Sequence, residues 1–123
     1  MRILKITSLF MFVCLLTAIV VAKTNKYGVS DVRKVSFTAA IRVGDTLLPQ
    51  GDYEVRHLME ADNHIMVFKQ LGAGKSAEAR VKCNLVQLKQ KADRDQVVYS
   101  LNAANERVLQ VLRFSGDSAE HVF

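Results

Sequence analysis

Apolar and polar side chains alternate along the segment from Val35 to Val43. In an extended chain, one face would carry Val35, Phe37, Ala39, Ile41 and Val43, while Ser36, Thr38, Ala40 and Arg42 would lie opposite. A period of two is typical of a strand with one face on a core, so this segment predicts such a strand.

A turn is predicted directly after this strand. Gly44 and Asp45 interrupt the alternation, and the segment 47–51 (LLPQG) follows. Pro49 fixes its own φ, and Gly51 adopts positive φ without steric cost, which suits a tight turn. Tyr53 then begins a new alternating segment.

The remaining pattern predicts further short strands joined by turns. The predicted strands are 53–58, 64–70, 77–88, 96–101 and 107–114, with hairpins over 53–70 and 96–114. The alternation of 77–88 changes phase near Val86, which indicates a bulge or a strand end. A helix over 77–91 is the alternative for that segment, and 115–121 is predicted to be a polar tail.

The sum of these elements predicts an all-β fold. Six or seven short strands with short turns are typical of a small antiparallel β-sandwich or barrel. A single β domain is expected over 32–123, and the polar, non-periodic segment 23–31 is expected to be a flexible lead-in.

The first 22 residues differ in character from the rest. Arg2 and Lys5 precede an uncharged apolar segment, Ile6–Val21, and small residues end at Ala22. This order predicts a hydrophobic signal helix cleaved after Ala22, and therefore an exported protein, periplasmic or extracellular. The alternative is an uncleaved anchor at 6–22 that tethers the domain to the inner membrane.

Charge narrows the class of partner. Without the first 22 residues the chain keeps 15 Lys and Arg against 12 Asp and Glu, a net charge of +3. These charges are scattered, whereas nucleic-acid binding proteins concentrate basic residues on one face. We therefore expect no nucleic-acid partner, and membrane contact only through the N-terminal segment.

Cys83 would be the sole cysteine of the exported chain. It shares the apolar face of its predicted strand with Ala79, Val81 and Leu85. A free cysteine in such a position is usually a small buried apolar residue, so a structural role is predicted.

Two histidines in the predicted hairpin 53–70 are the weak candidates for metal binding. His57 and His64 would approach each other across the hairpin, with Glu60 and Asp62 between them. His121 is predicted to lie in the polar tail, away from this pair. Because neither the number of ligands nor their geometry is supported, we expect no metal and no cofactor.

No residue pattern predicts catalysis. None of the serines lies in a Gly-x-Ser-x-Gly motif, and the twelve acidic residues show no distinctive pair. The sequence therefore favours a protein that is not an enzyme.

The stretch from Val43 to Val55 resembles a group of small exported proteins of acidobacterial type. Their pattern is a strand ending in Val-Gly and then Leu-Pro-x-Gly-x-Tyr-x-Val, which corresponds here to Val43-Gly44 and to 48–55 (LPQGDYEV). The aromatic residues that often precede Val-Gly are replaced by Ala39 and Ile41. The resemblance implies an exported all-β domain, no particular activity, and structural roles for Gly44, Pro49, Gly51 and Tyr53.

Three functions follow as hypotheses. The first is a non-enzymatic binding or cell-envelope interaction module with a protein or envelope partner, in which an edge strand pairs with another chain. The second is a carrier of a small apolar ligand in a cavity lined by Phe37, Ile41, Tyr53 and Val81. The third is a metal-dependent or hydrolytic enzyme.

Overall fold

The computed structural model describes residues 28–123. This part of the chain contains nine β-strands and no helix. The strands are β1 (Val32–Phe37), β2 (Ile41–Val43), β3 (Thr46–Leu48), β4 (Gly51–Glu60), β5 (Asn63–Gln70), β6 (Glu78–Gln87), β7 (Gln96–Leu101), β8 (Arg107–Arg113) and β9 (Ala119–Val122). The all-β class is therefore confirmed, with more strands than predicted because β2, β3 and β9 are short.

All strands belong to one open sheet. Its order is β1-β4-β5-β6-β9-β8-β2-β3, and β7 pairs with β8 outside this path. Every pair is antiparallel except β2 with β8. The hairpins β4–β5 and β7–β8 are those that the alternating pattern predicts.

The strand β6 pairs with a different strand in each of its two halves. Its first part, up to Cys83, pairs with β5, and its last four residues, Asn84–Gln87, pair with β9. Val86, where the predicted phase change falls, is exposed. The strand ends at Gln87, one residue after Val86, which agrees with the predicted strand end, while the exchange of partners falls earlier, between Cys83 and Asn84.

The sheet folds over a single apolar core. Side chains from both ends of the strand order meet there, including Phe37 of β1 and Leu48 of β3. Tyr53 and Phe68 are fully buried in the same cluster. Tyr53 also donates its hydroxyl to the carbonyl oxygen of Pro49 at 2.6 Å, which ties the turn before β4 to the core.

The predicted strand from Val35 to Val43 is divided in two. The chain bends at 38–40, so that β1 pairs with β4 while β2 pairs with β3 and β8. Phe37, Ile41 and Val43 are nevertheless all buried, as the alternation predicts. The prediction of one continuous strand is wrong because the two halves reach different parts of the sheet.

A second correction concerns the C-terminus. The polar tail predicted at 115–121 contains β9, which pairs with both β6 and β8. Ala119 and His121 point inward and are buried. A strand of four residues with two polar side chains has too little apolar alternation to be predicted from sequence.

The chain joins the fold before β1. Val29 is fully buried, and the carbonyl oxygen of Gly28 accepts a hydrogen bond from Ser118 N at 2.9 Å. The described end of the predicted lead-in therefore packs on the domain. The predicted signal helix, its anchor alternative and Ala22 lie outside the described residues. Within 28–123, no helix has the length and apolarity needed to cross a membrane.

Candidate metal centre

Four neighbouring strands direct one thiol and three imidazoles to the same side of the sheet. His57 lies on β4, His64 on β5, Cys83 on β6 and His121 on β9. His64 is directly opposite Cys83, and His121 is opposite Leu85, two residues beyond Cys83. Directly opposed residues share a face, as do residues two apart on a strand, so the register brings these side chains together.

Three of the four groups form a compact buried cluster. His57, Cys83 and His121 each offer one ligand atom, and these atoms lie within 4.8 Å of one another. The Cys83 Sγ and His121 Nδ1 atoms are 3.9 Å apart. The three residues are 5%, 5% and 1% exposed, so the cluster is shielded from bulk water.

His64 is attached to this cluster through His57. The His64 Nδ1 and His57 Nε2 atoms are 3.2 Å apart, and the two rings stack with centroids 5.2 Å apart. His64 is half-buried, unlike the other three residues. It is therefore the member of the group nearest to solvent.

The spacing of these atoms fits a transition-metal ion. In a tetrahedral zinc site, neighbouring nitrogen ligands are about 3.4 Å apart, and nitrogen and sulfur about 3.6 Å, given the usual bond lengths. The Cys83 Sγ–His121 Nδ1 separation of 3.9 Å is close to the second value, and all separations among the three buried ligand atoms are within 4.8 Å. Shifts of a few tenths of an ångström up to about 1 Å would bring the three buried atoms onto one ion.

Burial sets the protonation of the free cluster. The pKa of His121 falls from 6.5 to about 4, mainly because burial disfavours the charged ring, with His57, His64 and Arg33 adding repulsion. Burial also lowers the pKa of His57. It raises the pKa of the Cys83 thiol to about 11. At neutral pH the two buried imidazoles thus keep a free electron pair, while the thiol must release its proton to bind a metal.

A buried ion pair and an aromatic ring border the cluster. Arg33 pairs with Asp117, whose side chain is 3% exposed, and Arg33 also lies over the ring of Phe114. Phe114 meets His121 edge to face at a centroid distance of 5.7 Å. These residues fix the ring of His121 and surround the centre with apolar and paired groups.

Sequence reasoning found part of this centre. It brought His57 and His64 together and placed Cys83 on the buried face. It separated His121 from them, and it assigned Cys83 a structural role without connecting it to the histidines. Both omissions have the same cause, because the pairing of β6 with β9 is invisible in a short polar segment.

The other residues singled out from sequence lie away from the centre. Gly44 forms the β2–β3 turn with φ of 58°, and Gly51 starts β4 with φ of 151°. Pro49 and Tyr53 are joined by the hydroxyl–carbonyl hydrogen bond described above. These positions shape turns and the core.

The open edges of the sheet border a groove. A cavity of about 530 Å³ is lined by residues of β1 and β7 and their surroundings, including Lys34, Asp95 and Val97. A second of about 250 Å³ adjoins it and is lined in part by Phe37, Ile41 and Tyr99. Tyr53 and Val81 line neither, so the cavity that the ligand-carrier hypothesis requires has only part of its predicted lining here.

Comparison with known proteins gives no relative for this chain: no protein family, no curated protein and no solved structure matches it.

Proposed function

We propose that this protein is an exported, non-enzymatic binding domain that holds a transition-metal ion in its interior. The main observation in support is that the ligand atoms of His57, Cys83 and His121 lie within 4.8 Å of one another. These residues come from three different strands, and the register of β6 with β5 and β9 brings them together.

The ligand chemistry selects the class of metal. Thiolate and imidazole bind zinc and copper well, whereas magnesium and calcium require oxygen ligands. No carboxylate belongs to the cluster of ligand atoms. The centre therefore suits a thiophilic ion of the zinc and copper group.

The non-enzymatic part of the proposal rests on the burial of the ligands. A catalytic metal needs an open position that substrate reaches. Here the three ligands are buried, and the side nearest to solvent is occupied by His64. An ion held in this way is stored, carried or used to stabilise the fold.

The proposed function also includes export of the protein, which determines the kind of partner that it can meet. The apolar segment 6–21 and the small residues ending at Ala22 favour removal of a signal peptide, and the uncleaved anchor remains the alternative. Scattered charges argue against nucleic acid as a partner. A protein or another component of the cell envelope is the partner that we propose.

The test is a titration of the purified protein with Zn²⁺, and with Co²⁺ as a spectroscopic probe, under reducing conditions. We expect one ion per chain, and a thiolate-to-cobalt charge-transfer band in the near ultraviolet. Cys83→Ser should abolish the band, and His121→Asn should weaken binding by at least about tenfold.

Phe114→Leu is the matched control, since it alters the packing of His121 without removing a ligand atom. It should retain the stoichiometry and the band. Binding that survives in both ligand variants would disprove the proposed centre.

The edge strand β7 supports a second role, the addition of a partner strand. Within the described chain β7 pairs with β8 alone, carries no charged residue, and exposes Val97, Val98, Tyr99 and Leu101. Exposed, uncharged edge strands offer free backbone groups to another chain. We propose that β7 is the surface that meets the envelope partner.

Photo-crosslinking in the native cells tests this role. A photoreactive residue at position 98 should give a discrete adduct that Tyr99→Lys diminishes. The same residue at position 86, which is equally exposed but on β6, should give none. Equal adducts from both positions would show that β7 has no special affinity.

A further inference from the structure

We infer that the ion preferred by the centre is monovalent copper, bound by the Cys83 thiolate and the imidazoles of His57 and His121 as a complex with no net charge. This inference rests on the proposed metal-binding function and specifies the ion. Three properties of the site favour this ion: the number of ligands, the charge that they bring, and their burial away from bulk water.

The first reason for a monovalent ion is the net charge of the complex that it forms with the three ligands. The two imidazoles are neutral and the thiolate contributes one negative charge, so a monovalent ion gives a neutral complex. A divalent ion with the same ligands keeps a net positive charge. Because all three ligands are at most 5% exposed, that charge would be desolvated, which is unfavourable without a counter-charge.

Among residues 28–123, the acidic groups that act on the cluster are Asp31 and Asp117, and neither supplies a full counter-charge inside the protein. Asp117, the buried carboxylate of this region, is already paired with Arg33. Asp31 also acts on His57, but it is exposed and its field is screened by water. The Arg33–Asp117 pair as a whole is close to neutral, so it does not balance the charge of a further cation.

The second reason is the number of ligands, which is three. Three groups meet in the cluster, and His64 lies within hydrogen-bond distance of His57 without joining the set within 4.8 Å. Zinc in closed protein sites takes four ligands, whereas a soft monovalent ion with a thiolate ligand is satisfied by fewer. The buried trio therefore suits monovalent copper better than zinc.

The binding reaction is balanced without any change of oxidation state. The S–H bond of Cys83 breaks, its proton passes to solvent, and a sulfur–copper bond forms while the two imidazoles donate electron pairs. The copper arrives and remains monovalent, so no oxidant or reductant takes part.

Anaerobic competition titrations of the whole protein test the preference. Monovalent copper is buffered with a chromophoric copper(I) chelator, and Zn²⁺ with a zinc-specific chromophoric chelator. We expect monovalent copper to bind at least about a hundredfold more tightly than Zn²⁺, with one proton released per ion at neutral pH.

Charge variants test the electrostatic reason. Arg33→Gln removes a positive charge and leaves the Asp117 carboxylate as a counter-charge beside the site, so it should raise the affinity for Zn²⁺ by about tenfold, while that for monovalent copper changes by less than about threefold. Asp31→Asn removes the exposed negative charge that acts on His57 and should lower Zn²⁺ affinity severalfold, with the copper affinity again nearly constant.

The outcomes separate the inference from the proposed function. Failure of both ions to bind would overturn both. Tighter binding of Zn²⁺ than of copper would overturn the inference and retain a metal centre. Equal responses of the two ions to Asp31→Asn would also overturn it, because a neutral and a charged complex must respond differently.

Discussion

At the scale of single residues, His121 shows how burial determines chemistry. Its ring is 1% exposed and faces His57, His64, Cys83 and Arg33. The charged ring would lose its hydration and meet three other basic groups, so the pKa of His121 falls to about 4. The free imidazole is consequently neutral and able to bind a metal under most conditions.

This shift predicts a loss of stability of the metal-free protein in acid. The folded pKa lies below the ordinary 6.5, so the unfolded chain binds the proton first. The contribution of His121 is complete above pH 6.5 and is lost as pH falls towards 4, by roughly 3 kcal/mol in total. Urea unfolding across this range, with a chelator present, measures the loss.

His121→Asn supplies the comparison for that experiment. The variant should start less stable at pH 7, and its stability should fall less steeply between pH 6.5 and 4, with the remaining slope due to His57 and the carboxylates. Parallel curves for the variant and the parent chain would contradict a neutral buried His121.

At the scale of elements, the tight β2–β3 turn shows how sequence and packing act together. Gly44 has φ of 58°, in the region that favours glycine, and joins Val43 to Thr46 with Asp45. A Cβ atom at Gly44 would lie 3.1 Å from the Val81 Cγ2 atom of β6. The turn therefore needs glycine for its backbone conformation and also for its contact with β6.

Gly44→Ala is expected to destabilise the protein by about 2 kcal/mol, from backbone strain and the displacement of Val81. Gly74→Ala is the control, because Gly74 has φ of 72° but no atom within 4 Å of its added Cβ. It should cost about 1 kcal/mol through strain alone. Urea midpoints give both values, and equal losses would exclude the contact with Val81 as a factor.

At the scale of the whole molecule, a buried ion pair joins the beginning of the fold to its end. Arg33 of β1 pairs with Asp117, which precedes β9, and burial raises the pKa of Asp117 although Arg33 opposes that rise. Gly28 and Ser118 are hydrogen-bonded beside them. Residues near the beginning and the end of the described chain are thus held together next to the cluster of His57, Cys83 and His121.

Arg33→Met should destabilise the protein by about 3 kcal/mol, because Asp117 would remain as an unpaired buried carboxylate. Arg56→Met removes the exposed pair with Glu54 and should cost less than about 0.5 kcal/mol. Thermal or urea unfolding compares the two variants. If Arg33→Met lowers the free energy of unfolding only slightly, and adding Asp117→Leu to it changes that value no further, the buried pair contributes little to stability.

The sequence by itself determined the local elements. Alternation in Val35–Val43, in β4 and around Cys83 indicates which side chains face inward, because a strand repeats every two residues. In β8, by contrast, the buried Leu109 and Leu112 are three residues apart. Glycine and proline positions mark the turns for equally local reasons. All of this information lies within about ten residues of the site that it describes.

Only the tertiary structure decided which strands meet and what their inward side chains form together. Cys83 and His121 are 38 residues apart, and no local pattern requires β9 to lie beside β6. The division of the predicted first strand has the same origin, since its two halves have different partners. Pairing between distant strands depends on the shape of the whole core, and this is why the cluster of Cys83 and the histidines forms only when the sheet has folded.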